Sequence, residues 1–198
     1  MRPVLCFCVG LSLAACGGAS TPSGGSFSHD SYSESWAASL RYRSVAAEEL
    51  DSEGSTDTGA PLAEVLSLEV SDGGGGRLVV WSIGDDPAES SELSQMQLET
   101  DGLLAIRSVN GIAMEPEIVL LERNFSSGDV VQSGDWTASV EVLPELSTWY
   151  GSLDLVVEVS IEGPQGHSGP NLIRLAQDIG PVQLSWGDYA GDLAWYDP

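Results

Sequence analysis

The chain has 198 residues, with 30 acidic side chains against seven basic ones and a net charge of −23. Such an acidic balance argues against nucleic acid, whose binding needs Lys and Arg to replace counterions, and against adhesion to anionic lipid heads. All seven basic residues are arginine, so Schiff-base chemistry and a phosphate-loop lysine are excluded.

The chain opens with one charge, Arg2, and an apolar run over residues 4–13. A membrane-spanning helix needs roughly 20 apolar residues, so this run reads as a secretory leader. Leu13, Ala14, Ala15 and Cys16, followed by Gly17, resemble the bacterial lipobox. That resemblance implies lipidation of the Cys16 sulfur, cleavage before Cys16 with Leu13, Ala14 and Ala15 as the peptidase recognition residues, and acylation of the new amino terminus. The alternative is an ordinary leader with an incidental cysteine. Gly17 in place of aspartate favours the outer membrane, by resemblance to sorting rules. The expected location is therefore the bacterial cell envelope, lipid-anchored. Cleavage also removes Cys6 and Cys8, so a mature monomer has no disulfide, no cysteine metal site and no thiol catalysis.

Residues 16–35 are rich in Gly, Ser, Thr and Pro and read as a flexible tether carrying His29. A single β domain is expected over residues 36–198. Its first strand is 36–42, followed by an acidic loop over 48–59; residues 46–50 are the one helical candidate, too short to be stable alone. Residues 62–70 alternate, a glycine break with Asp72-Gly73 follows, and 77–83 resumes as a strand; the extra glycines suggest a turn longer than two residues. After a loop over 84–91, Met96 and Leu98 alternate with polar neighbours up to Asp101-Gly102, the clearest tight hairpin. Residues 103–109 lead to Asn110-Gly111, and 115–121 to a loop over 124–134. Trp136, Ala138, Val140 and Val142 share one face of the next strand. Leu153, Leu155, Val157, Val159 and Ile161 form the most regular alternation. Strands over 172–176 and 181–186 are joined by Asp178 to Gly180, and 189–195 forms a last edge strand. Recurrent period-two alternation with close turns predicts an all-β or β-dominated domain. The expectation is a curved antiparallel sheet or half-barrel of about nine or ten strands.

Three short stretches resemble a group of bacterial lipoproteins with domains of the LolA and LppX type. They are Leu40 to Arg43, Pro116 to Leu121 with Gly134 to Trp136, and Ala176 to Val182, in which Asp178 stands where the pattern usually has glycine. The resemblance implies a half-barrel that holds acyl chains on a concave face; it supplies no catalytic residues.

No constellation points to catalysis, and no cofactor is expected. Glu48, Glu49, Asp51, Glu53 and Asp57 lack EF-hand spacing and read as a solvated loop, as does Asp85-Asp86. His29 and His167 have no companion at zinc-ligand spacing, no Gly-x-Ser-x-Gly elbow occurs, and Gly73 to Gly76 is not followed by the residues of a phosphate loop. The Asn124 sequon reads as chance in a bacterial chain. Among six tryptophans, Trp136 and Trp186 fall on apolar strand faces and read as core. Trp149, Tyr150, Trp195 and Tyr196 lie near turns or the terminus and are the candidate ligand or partner surface. Two functions fit: a non-catalytic module for a lipid or other apolar ligand, or an interaction lipoprotein with a closed core that meets an envelope protein.

Overall fold

The structure, a computed structural model, describes residues 25–33, 35–45, 65–73, 76–83, 91–165, 169–186 and 189–197. The lipobox residues Leu13, Ala14, Ala15 and Cys16, the acidic loop, Asp85, Asp86 and His167 lie outside the described residues.

The architecture is almost entirely strand. A two-residue strand β1 (Phe27–Ser28) and a four-residue helix α1 (Asp30–Ser33) lead into β2 (Ser39–Val45), β3 (Val65–Gly73), β4 (Gly76–Ile83), β5 (Ser91–Glu99) and β6 (Leu103–Val109). There follow β7 (Ile112–Glu122), β8 (Asn124–Phe125), β9 (Val130–Ser133), β10 (Trp136–Ser147) and β11 (Ser152–Glu162). The chain ends with β12 (Pro170–Ala176), β13 (Gly180–Trp186) and β14 (Tyr189–Asp197). Twelve strands form one sheet in the order β7-β6-β5-β4-β3-β2-β14-β13-β12-β11-β10-β9, and every neighbouring pair is antiparallel.

This sheet curls until its edges meet. At the seam the Val119 N–H of β7 donates to Ser133 Oγ of β9 at 3.0 Å, a side-chain acceptor standing in for a ladder carbonyl. Gly134 faces the Pro116 ring, whose carbons would lie 3.1 Å from an added Cβ. Proline is tolerated in β7 because that strand is an edge with no second ladder to supply. The result is the curved, nearly closed antiparallel half-barrel that the alternation predicts, but with twelve strands in the sheet among the described residues rather than the nine or ten expected.

Turn chemistry explains the hairpins. Asn110 and Gly111 both have positive φ, 51° and 75°, as a type I′ turn requires. Gly73 and Gly76 are register partners, so β3 and β4 stay paired up to these glycines; residues 74 and 75 of the expected longer turn lie outside the described residues. Gly76 approaches β5 so closely that a Cβ would overlap the Leu98 carbonyl. The expected loop over 124–134 contains the short strands β8 and β9.

One face of every long strand lines a common core. Leu40, Leu68, Leu104, Ile106, Val157, Leu175, Val182 and Leu193 are fully buried, as are the large rings of Tyr42 and Trp81. Trp81 packs edge-on against Tyr42, with ring centres 5.0 Å apart, over Gly191, whose missing side chain leaves room for both. Trp136 lies over Gly163 and Trp36 over Gly180 in the same way. An aromatic ring thus covers a bare stretch of backbone three times. Trp186 is core, as expected, and Trp136 is half-buried against it.

The packed domain begins before residue 36. Residues 27–33, expected within the flexible tether, lie across the end of the barrel at which β2 starts. β1 pairs with β8, and Phe125 meets Phe27 and Tyr32 at 5.7 and 5.8 Å. Tyr32 donates its hydroxyl to the Leu155 carbonyl at 3.0 Å. His29 is buried between the Arg123 and Thr100 carbonyls. Two phenylalanines and a tyrosine hold this segment down, a signal that its Gly/Ser composition masked.

Candidate functional site: an exterior aromatic cluster

The candidate surface comes from two distant parts of the chain. Trp149 and Tyr150 occupy the tip of the β10–β11 hairpin; Trp195 and Tyr196 lie near the end of β14. β10 and β11 stay paired from Thr137↔Glu162 to Ser147↔Ser152, whereas β11 pairs with β12 only over Val157 to Ser160. The outer half of the hairpin is therefore free of the sheet and bends where Leu155 has φ 51°. Leu155 was expected on the buried face but is exposed, because its positive φ breaks the strand's alternation; Leu153, farther out, still packs against the core.

The bent tip docks on β14. The Tyr150 N–H donates to the Leu193 carbonyl at 2.7 Å, and the Trp149 N–H to Asp192 Oδ2 at 2.8 Å. Thr148 and Gly151 exchange backbone bonds across the turn, where Gly151 has φ 148°, a conformation that favours glycine. Tyr150 then meets Tyr196, their ring centres 5.1 Å apart, and the hydroxyl bond between them, with some burial, raises the Tyr196 pKa. All four predicted residues thus converge on one end of the domain.

Arginines back the two tryptophans. Arg43 lies 4.5 Å from the centre of the Trp149 ring and Arg41 5.8 Å from that of Trp195. Arg41 is the register partner of Trp195, and Arg43 of Asp192. These positions alternate with Leu40 and Tyr42, so the arginines project from the face opposite the core. Trp149, Tyr150 and Trp195 nevertheless remain 49%, 48% and 47% exposed.

Beneath the cluster runs a polar relay that sequence reading missed. Glu158, Arg174, Gln183, Asp192 and Arg43 are successive register partners across five strands. Arg174 donates from Nε to Glu158 at 2.6 Å and from a terminal nitrogen to Gln183; Gln183 donates to Asp192 Oδ1 at 2.8 Å. Asp192 is only 1% exposed. Burial pushes its carboxyl above the ordinary aspartate range, against the pull of Gln183, the Trp149 N–H, Arg43 and Arg174. No spacing rule in one strand could have found this row, since its members are 16, 9, 9 and 149 residues apart and only the register aligns them.

The inner face offers less room. A cavity that admits water leaves its lining residues measurably exposed, yet Leu40, Leu68, Leu104, Ile106, Leu121, Val157, Leu175 and Val182 are 0% exposed. A cleft of about 220 Å³ opens at the seam, lined by Glu122, Phe125, Asp129, Val130, Val131 and Val140; that is below the roughly 300–1,000 Å³ of ordinary small-molecule sites. Among the described residues, no group of three or more His, Cys, Asp or Glu is placed to hold a metal, and no helix is long and apolar enough to cross a membrane.

No protein-family model matches the chain, and no curated protein matches it. Among solved structures, a protein of Parabacteroides distasonis ATCC 8503, provisionally classed as a lipoprotein, is 11% identical. The match has a TM-score of 0.37 and covers 84% of this chain and 97% of that one. Identity and score at that level carry no inference about ligand or family.

Proposed function

We propose that the chain is a lipid-anchored, non-catalytic binding module of the bacterial envelope, and that it binds through the exterior aromatic cluster rather than inside the barrel. The observation that carries this reading is the convergence of Trp149, Tyr150, Trp195 and Tyr196 on one surface, half-exposed and held by a docked hairpin. Leaving three large aromatic rings half in water forgoes roughly half of the about 1.5–3 kcal/mol that full burial of a large apolar side chain supplies, so folding stability alone does not account for the arrangement. The full burial of Leu40, Leu68, Leu104, Ile106, Val157, Leu175 and Val182 supports an exterior site over an acyl-chain cavity. Cys16 is the anchor in this reading, cleaved from residues 1–15 and acylated.

Two mass measurements test it. Intact protein extracted from membranes should begin at Cys16 and carry acyl chains, and Cys16→Ser should be released in soluble form. Residues 25–198, purified gently, should give a bare mass under native conditions. A reproducible lipid adduct would instead place the ligand inside the barrel.

A further inference from the structure

We propose that the aromatic cluster docks into the interfacial zone of a zwitterionic phospholipid bilayer, holding the domain end-on against the membrane; this rests on the reading of Cys16 as the lipid anchor. Placement is the first argument. The cluster and the N-terminal segment occupy the same end of the barrel. At that end β2 begins and β14 finishes, and Tyr32 reaches Leu155 on the same hairpin that carries Trp149. Eight residues separate Cys16 from Gly25, where the described chain starts. A fully extended stretch of that length reaches at most about 30 Å. An anchor at Cys16 therefore keeps this end of the domain near the bilayer, with the β13–β14 hairpin end pointing away.

Chemistry is the second argument. Trp and Tyr combine an apolar body with a polar edge and concentrate where acyl chains meet headgroups. Arg41 and Arg43 stand against the tryptophan rings, and Arg43 is buried beside Asp192, so the rings rather than the guanidinium groups would enter the interface. Net charge selects the lipid. At −23 the molecule gains nothing from an anionic surface, so the contact is short-range aromatic insertion rather than long-range attraction. Preorganisation is the third argument: the tip is held by two bonds to β14 and by its own turn, so docking orders little that is not already ordered.

The test uses full-length lipidated protein in phosphatidylcholine–phosphatidylethanolamine vesicles, with and without brominated acyl chains that quench tryptophan on contact. Wild type is compared with the double variant Trp149→Ser/Trp195→Ser, and near-UV circular dichroism confirms that both keep the Trp81 core. Bromination is expected to quench the wild type, and the double variant should lose roughly half or more of that quenching, since interfacial tryptophans are the ones within reach. Adding anionic phosphatidylglycerol should not increase it. Vesicle flotation without quenching, or equal quenching in both proteins, overturns the docking while leaving the anchor standing. Failure to float overturns the anchor and the docking together.

Discussion

Gly191 and Asp192 are adjacent on β14, and each shows how one side chain governs a layer. An added methyl at Gly191 would lie 3.0 Å from Tyr42 Cβ and 3.2 Å from the Trp81 ring, both buried side chains. Gly191→Ala is therefore expected to cost about 1–3 kcal/mol, the usual penalty of overpacking, read as a lower urea midpoint. Asp192 faces the other side, where Gln183, Arg43, Arg174 and the Trp149 N–H surround it. Its folded pKa is raised by burial, so the folded state holds the proton more tightly than the unfolded state does. Stability attributable to this group rises as pH falls through the folded pKa and is fully gained below the unfolded value, near 3.9. Asp192→Asn carries no such dependence. The variant should compare best with wild type at neutral pH and worst near pH 4, when both are unfolded in urea across that range. A difference that stays constant with pH would refute the linkage.

At the scale of elements, two features close the structure without regular pairing. The seam between β7 and β9 depends on the Ser133 hydroxyl accepting from Val119. Ser133→Ala leaves that buried-edge amide without its acceptor, at a cost of about 1–3 kcal/mol. Hydrogen exchange at Val119 should accelerate in the variant while exchange in β3 and β4 is unchanged. The N-terminal segment is the second feature. Tyr32→Phe deletes one hydrogen bond to Leu155 and should cost about 0.5–1.5 kcal/mol. Starting the chain at Ser35 removes β1 and α1 entirely, exposing Phe125, and should lower the melting temperature well beyond the effect of Tyr32→Phe.

Charge belongs to the whole molecule. Few arginines offset 30 carboxylates; Arg174 pairs with Glu158 below the surface, and Arg107 pairs with Glu99 and Glu117 nearer to solvent. The remaining surface repels itself in the compact state. Added sodium chloride shortens the Debye length from about 10 Å at 0.1 M to 3 Å at 1 M, so the melting temperature should climb between those concentrations. A fall would mean that the internal ion pairs outweigh surface repulsion. The same charge disfavours contact with anionic surfaces.

Period-two alternation and glycine-bearing turns determined the fold class from the sequence alone, because the side-chain period of a strand and the positive φ of Asn110-Gly111 are local properties. The same local reading named Trp149, Tyr150, Trp195 and Tyr196 as a candidate surface from their places near a turn or the terminus, although Trp195 and Tyr196 lie within β14. Tertiary structure decided the rest. It brought those four residues together, aligned Glu158, Arg174, Gln183, Asp192 and Arg43 into one relay, turned Leu155 outward and placed His29 and Tyr32 under the barrel's end. Each of these outcomes depends on register, on where a neighbouring strand stops, or on a bend in a hairpin. Such quantities are relations between segments far apart in the chain, and no single stretch of sequence encodes them.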